Sequence, residues 1–222
     1  MRPALLIAAL SLASLQAQSL EDALRGMDQA AASFRTFTAR LRSVKYTAIV
    51  KDEAVEEGYI WVKRVKPGVS HLLIEFTVPD TYYARLAENK AQIYRPKIAT
   101  LEEYDLSPYR DLAEQHWPFG ASGRDLASRY QINWGGRETL AGEPAVKLEL
   151  IPKSPRLLQH IPRLELWVST SHWQPVQQKY YETTPGDHRL YTYSQAKVNV
   201  PVPDSRLRLT VPSRVKRIRP QR

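Results

Sequence analysis

From Phe37 onward, apolar residues recur at every second position, in short runs. Leu72, Ile74, Phe76 and Val78 form one run, and Val146, Leu148 and Leu150 form another with Lys147 and Glu149 between them. Leu164, Leu166 and Val168 alternate with Arg163, Glu165 and Trp167, and Leu207, Leu209 and Val211 with Arg206, Arg208 and Thr210. A period of two sends successive side chains to opposite faces, so each run predicts a strand with one dry face. Pro67-Gly68, Pro79-Asp80, Gly135-Gly136, Gly142, Pro185-Gly186-Asp187 and Pro203-Asp204 separate the runs, and such residues favour turns over a continued ladder. Half-buried strands joined by turns predict an antiparallel sheet.

Three stretches break the period. Near the start, Ser19 is a candidate helix cap with Asp22 three residues on. Leu20, Leu24, Met27, Ala31 and Phe34 then repeat at helical spacing, one apolar stripe on a helix of about four turns. In the middle, Ser107-Pro108 opens "SPYRDLAEQHW", with Tyr109, Leu112, Ala113 and His116 on one side. Ser122 with Asp125 starts a second short helix, "SGRDLASRY", carrying Leu126 and Tyr130. The tail "RVKRIRPQR" is basic, and its end is expected to be mobile.

The first residues, "MRPALLIAALSLASLQAQ", pair Arg2 with an apolar run from Ala4 to Leu15 and a small residue, Ala17. This predicts a signal peptide over 1–17, since the run is short of the ~20 apolar residues of a spanning helix. The mature chain, 18–222, is then expected to be one domain in the periplasm. The sequence has no Cys, so neither a lipid-modified cysteine nor a disulfide is available. Its formal net charge of +9 points to an anionic membrane surface or an acidic partner. Export argues against nucleic acid.

No catalytic constellation is apparent. There is no Gly-x-Ser-x-Gly and no thiol. His71, His116, His160, His172 and His188 lack the i, i+4 spacing of a helical zinc motif; His172 and His188 remain a weak candidate pair across strands. Glu102, Glu103 and Asp105 read as a solvated strand end, and "KYYETT" and "RLYTYSQAK" as cross-strand tyrosine pairs. No enzyme activity, metal or cofactor is expected. A curved sheet with an apolar concave face holds either a filled core or a ligand, and periodicity alone leaves both open. One residue does not fit a plain core: period two puts Arg64 on the same face as Ile60 and Val62.

Taken in order, several segments resemble the LolA family of periplasmic outer-membrane lipoprotein carriers, over nearly the whole mature length. Gly58, Tyr59, Ile60, Trp61, Val62, Lys63 and Arg64 stand where that family has Gly-x-Leu-Trp-Val-Lys-Arg, followed by a strand closing on Pro79-Asp80. "AQIYRPKIATLEEYDL" is similar to its Trp-x-Tyr-x-Pro strand, "VKLELIPK" to its Leu-x-Pro-Lys end, and "YTYSQAKVNVPVPDSRLRLTVP" to its closing hairpin. Three departures stand out: a longer hairpin at "RVKPGVSH", Glu88-Asn89-Lys90 in place of Asp-Gly, and the insertion "RLLQHIPR".

The resemblance implies a mainly β fold of LolA/LolB type: an incomplete, strongly curved antiparallel barrel covered by the N-terminal and central helices. It implies an apolar cavity lined by Ile60, Val62, Leu72, Ile74 and Phe76, with Arg64 as a latch. The lid's apolar face would be Leu20, Leu24, Met27, Phe34, Leu112 and Leu126. The implied role is a monomeric carrier that shields acyl chains of lipoproteins or related lipids, receives them from an inner-membrane releasing transporter and passes them to an outer-membrane acceptor. The rival expectation is an envelope sensor or regulator on the same scaffold.

Overall fold

The computed structural model describes residues 4–109 and 118–220, with side chains from 19 to 108 and from 118 to 220. Along the chain, α1 (Ala4–Ser33) leads to β1 (Thr36–Thr47), β2 (Asp52–Lys66), β3 (Val69–Val78), β4 (Tyr82–Ala87), β5 (Lys90–Arg95) and β6 (Thr100–Asp105). Then come α2 (Gly123–Arg129), β7 (Tyr130–Leu140), β8 (Glu143–Pro152) and α3 (Pro155–Leu158). The series ends with β9 (Arg163–Ser169), β10 (Pro175–Tyr181), β11 (His188–Val198) and β12 (Lys216–Ile218). The fold is mainly β, as the alternation predicts. Contacts divide it into two compact units, one joining the chain up to Ser33 with Gly120–Thr183, the other joining Phe34–Phe119 with the chain from Thr184 onward.

In the first unit the strand order is β10-β9-β8-β7, antiparallel throughout. Val146, Leu148 and Leu150 stand beside Val168, Leu166 and Leu164 across the β8–β9 ladder, all buried. The expectation of one dry face fails for β9, which is also buried on its other side, at Glu165, Trp167 and Ser169. Burial is tolerable there because the polar groups are paired. Lys147 Nζ lies 3.1 Å from Glu165 Oε1, and Trp167 Nε1 donates to Glu138 at 2.9 Å.

The helices of this unit follow the sequence in their bodies and depart from it at some ends, as at Tyr130, which opens β7 rather than closing α2. Ser122 caps α2 in a capping box with Asp125, as its spacing predicts. The stripe on α1 is present, with Met27 and Ala31 buried and Leu20 and Leu24 half-buried; Ala23 and Gly26 extend it. Ser19, however, is not a cap, because α1 runs unbroken from Ala4. The alanines and leucines of residues 4–17 are strong helix formers and carry the helix through that stretch. Gly26 and Gly123 are required by close approach: a Cβ at Gly26 would enter the Trp173 ring, and one at Gly123 the backbone of Leu24. The insertion "RLLQHIPR" contributes to α3, capped by Ser154.

In the second unit the order is β12-β6-β5-β4-β3-β2-β1-β11. The ladders are antiparallel except β12–β6, which is parallel. The register between β2 and β3 slips where Glu57 meets Val78 and Gly58 meets Phe76, so Thr77 is an extra residue. Such a bulge bends and twists a strand. Here it presses the Glu75 carbonyl into the place a Cβ at Gly58 would occupy, which is why the stretch before Ile60 needs glycine. The β4–β5 hairpin turns on Glu88 (φ 53°) and Asn89 (φ 58°). Two left-handed residues in a two-residue turn are the type I′ geometry that Asp-Gly usually supplies.

One predicted strand is absent. Leu207, Leu209 and Val211 do not join a ladder; Asp204–Leu207 is a 3-10 turn. Pro201 and Pro203 precede it and Pro212 follows, and proline cannot donate to a ladder. Within the tail, β12 pairs with β6 and Arg217 reaches Glu103 at 3.4 Å, while its end, beyond residue 220, lies outside the described residues.

Candidate functional site

The second unit's sheet has two distinct faces. On the face defined by Ile60, cross-strand rows run Phe37–Val62–Leu72–Leu86, Ala39–Ile60–Ile74–Ala84 and Leu41–Gly58–Phe76–Tyr82. We call this the inner face. The five residues expected to line an apolar cavity, Ile60, Val62, Leu72, Ile74 and Phe76, share this face, each at most 5% exposed. Burying a side chain of this size stabilises by about 1.5–3 kcal/mol.

The structure adds aromatic residues that the sequence reading did not select. Phe37 and Phe119 have ring centroids 4.6 Å apart, and Tyr193 stands edge-on to Phe119 at 5.1 Å. Phe76 stacks on Tyr82 at 4.4 Å. Phe37 and Leu41 could have been found from their parity in "TFTARL". Phe119 lies outside any regular element and carried no periodic signal.

Polar residues bound the apolar rows at both ends. At one end, Arg64 pairs with Ser70 across β3 and sets its guanidinium 5.1 Å from the centre of the Phe34 ring. Its backbone N–H donates to Arg35 O at 2.8 Å. Arg64 is therefore on the inner face, as period two predicts, and meets a buried ring. A cation over a ring contributes about 0.5–1 kcal/mol, more when desolvated. Phe34 itself lies just beyond α1, which ends at Ser33, rather than on the helix as expected.

At the other end is a chain of charged and phenolic groups. Arg189 lies 3.9 Å from Glu56, and Glu56 accepts from the Tyr82 hydroxyl at 2.7 Å. Arg95 sits 5.0 Å over the Tyr82 ring and 3.6 Å from Glu102, which accepts from Tyr104 at 2.8 Å. Burial, then the Glu56 hydrogen bond, push the Tyr82 phenol far above its ordinary range. Glu102, expected on a solvated strand end, is thus part of this network. From Glu56 to Arg64 along β2 is ~27 Å at ~3.4 Å per residue.

The outer face is closed differently. Leu73, with Trp61 and Tyr83 beside it, is covered by Val202, Leu207 and Leu209 from the segment after β11. This strap is pinned by polar contacts. Lys63 Nζ reaches Asp204 at 2.6 Å and Val202 O at 3.2 Å, and Arg85 donates to Leu207 O at 2.8 Å. Arg206 lies 4.3 Å over Trp61 and 3.8 Å from Glu75.

Of the other predicted site residues, Met27 and Leu126 are buried and Leu20 and Leu24 half-buried in the first unit. Leu112 lies outside the described residues. His172 accepts from the Gln174 backbone N–H at 3.2 Å, and His188 contacts Gly186 O at 3.1 Å. Among the described residues no group of three or more His, Cys, Asp or Glu could hold a metal ion. No helix there is long and apolar enough to cross a membrane.

No family model matches the chain, and no curated protein does. Solved structures do. MucB matches with a TM-score of 0.55 and 16% identity, over 87% of this chain and 63% of MucB, so the chain spans less than two thirds of MucB's length. An uncharacterized conserved protein of Thermus thermophilus matches with a TM-score of 0.57 and 11% identity, over 90% of this chain and 99% of that one. The Mycobacterium tuberculosis lipoprotein LppX matches with a TM-score of 0.51 and 12% identity, over 84% and 98%. A LolA superfamily protein from Nitrosomonas europaea is also matched, with a TM-score of 0.43 and 13% identity, over 85% and 97%. Identities this low speak for fold alone, and the fold is the one shared with MucB, the Thermus thermophilus protein and LppX.

Proposed function

We propose that the protein is a periplasmic carrier that takes acyl chains of lipoproteins or related envelope lipids onto the inner face and delivers them to the outer membrane. The observation that carries this reading is the apolar band from Phe37 to Phe76, bounded by Arg64 at one end and the Glu56–Tyr82–Arg95 network at the other. Its length, ~27 Å between polar ends, exceeds the ~15 Å that acyl chains span in one leaflet of a ~30 Å hydrocarbon core. A long acyl chain loses on the order of 10 kcal/mol on entering water, at ~0.8 kcal/mol per CH₂. A carrier offsets that loss by offering hydrocarbon neighbours that can be exchanged. No covalent step is assigned to any residue. Cleavage of residues 1–17 would release the mature chain into the periplasm, with an inner-membrane releasing transporter and an outer-membrane acceptor as partners.

Arg64 is the residue whose contact with Phe34 would have to open or shift as cargo enters. Native mass spectrometry of the protein purified from its own periplasm should show a bound acylated species. Arg64→Leu should leave the fold intact and change the rate at which that species is released. A wild-type protein that carries no acylated molecule would sink the carrier reading.

A second reading has one observation in its favour: MucB has been solved in complex with MucA, and those structures match this chain with TM-scores of 0.53 and 0.51. On that reading the chain is an envelope sensor or regulator that binds a partner protein. Substitutions in the strap or in α3 would then abolish function, while inner-face substitutions would leave it unchanged.

A further inference from the structure

Along the inner face, β1 presents Phe37, Ala39, Leu41, Ser43 and Lys45 in turn. The first three are apolar and buried. Ser43 is only 1% exposed, and among the described residues its Oγ has no hydrogen-bond partner. Its neighbours show why. Glu56, directly opposite on β2, accepts from Tyr82 at 2.7 Å and turns its other oxygen toward Arg189 at 3.9 Å. Tyr191 stands opposite on β11.

A buried hydroxyl left without a partner destabilises the fold. Alanine or valine would avoid that cost at a buried strand position. The hydroxyl therefore keeps an unused donor beside Leu41, within the apolar rows. Two pairs further along, on the same face, Lys45 of β1 stands opposite Arg189 of β11, and Arg189 is the one that lies 3.9 Å from Glu56. An unused donor followed by excess positive charge fits the polarity of an acyl ester whose head group is anionic.

We propose that this end of the inner face anchors the head of an anionic acyl ester. Ser43 Oγ donates to the acyl carbonyl, and Lys45 and Arg189 face the negative charge. The hydrocarbon runs past Leu41, Ile60 and Val62 toward Arg64. This rests on the carrier reading, to which it adds an orientation and a ligand class. Ester carbonyl and anionic group together describe a phospholipid head or another acidic acyl lipid, and the choice of probes separates the two contributions.

The test uses the full mature chain and three probes: a lysophosphatidylglycerol ester, its alkyl-ether analogue, which lacks the carbonyl, and a neutral monoacylglycerol. Affinities are read by displacement of a fluorescent acyl probe. The wild type should prefer the ester to the ether about fivefold, the range of one neutral hydrogen bond. Ser43→Ala should erase that preference while its melting temperature stays level or rises. Lys45→Gln should weaken the lysophosphatidylglycerol ester severalfold and leave the monoacylglycerol unchanged, and added salt should mimic it. Equal affinity of the wild type for ester and ether, or equal loss of both in Ser43→Ala, overturns the anchor while the carrier reading stands. Failure of the wild type to bind any acyl probe overturns both.

Discussion

Leu72 on the inner face and Leu73 on the outer face are both 4% exposed, yet they are covered by different chemistry. Over Leu73 lies a strap whose position is set by directional bonds: Lys63 to Asp204 and Val202, Arg85 to Leu207, Arg206 to Glu75. On the face of Leu72 the contacts described include ring on ring, Phe37 with Phe119 and Phe119 with Tyr193, and a cation over a ring, Arg64 on Phe34. A directional bond holds a cover in one place, because a shifted strap leaves polar groups unpaired. Dispersion and apolar burial are non-directional, so an acyl chain can replace a ring at small net cost. The outer face is built as a fixture, the inner face as an exchangeable surface.

The largest expected effect tests the fixture. Leu207→Ala should cost about 3 kcal/mol, the range of large-to-small changes in a core, measured by urea denaturation. Acyl-probe binding by the folded protein should be unchanged; a parallel loss of binding would show that the two faces are not independent. Gly58→Ala comes next, at about 2 kcal/mol of overpacking, because its Cβ collides with the Glu75 carbonyl. It should disturb both faces at once, and an unchanged midpoint would mean the sheet does not take its curl from that bulge.

A smaller effect sharpens the inner face. Phe34→Leu keeps an apolar side chain under Arg64 and removes the ring, so it should cost about 1 kcal/mol and speed release of bound acyl probe. Slower or unchanged release would separate Arg64 from any gating role.

The smallest effect is in pH, with an acid limb under the strap and an alkaline limb from tyrosines on both faces. Under the strap, burial and then Arg85 hold His71 below its ordinary 6.5. The Lys63 hydrogen bond holds Asp204 below 3.8. Both folded values are depressed, so their stability is present above the ordinary pKa and lost as pH falls. On the inner face, burial raises Tyr82 and Tyr193 above 10.0, so that stability is complete below 10 and lost as pH rises. Tyr83, on the outer face, shares the alkaline direction. Urea midpoints against pH should therefore lose their acid slope in His71→Leu, and part of their alkaline slope in Tyr82→Phe and in Tyr83→Phe. Equal slopes in wild type and variants would remove the assignment.

The inner face was legible in the sequence because Ile60, Val62 and Arg64 share one parity on β2, and Leu72, Ile74 and Phe76 another on β3, although Leu73 between them is apolar and buried too. The Ser122–Asp125 cap was equally local. The strap was not legible, since Leu207 and Leu209 alternate as a strand does and only the flanking prolines argue against one. The second buried side of β9 depends on Lys147 and Glu138 pairing with Glu165 and Trp167, which are tertiary partners. Ser43 is a single small residue in an apolar row. Its oddity exists only once Glu56 is seen to be engaged elsewhere.

The short parallel strand β12 has a consequence for how copies of this chain meet. An unpaired strand is a template on which another chain can build. β12 occupies the free side of β6, and Arg217 and Arg219 both approach Glu103 there. Three residues are too few to seed further growth, and their positive charge repels an identical tail. Removing β12 would bare β6, and filaments or strand-swapped pairs would become accessible to a protein whose β6 edge is otherwise held by Lys216–Ile218.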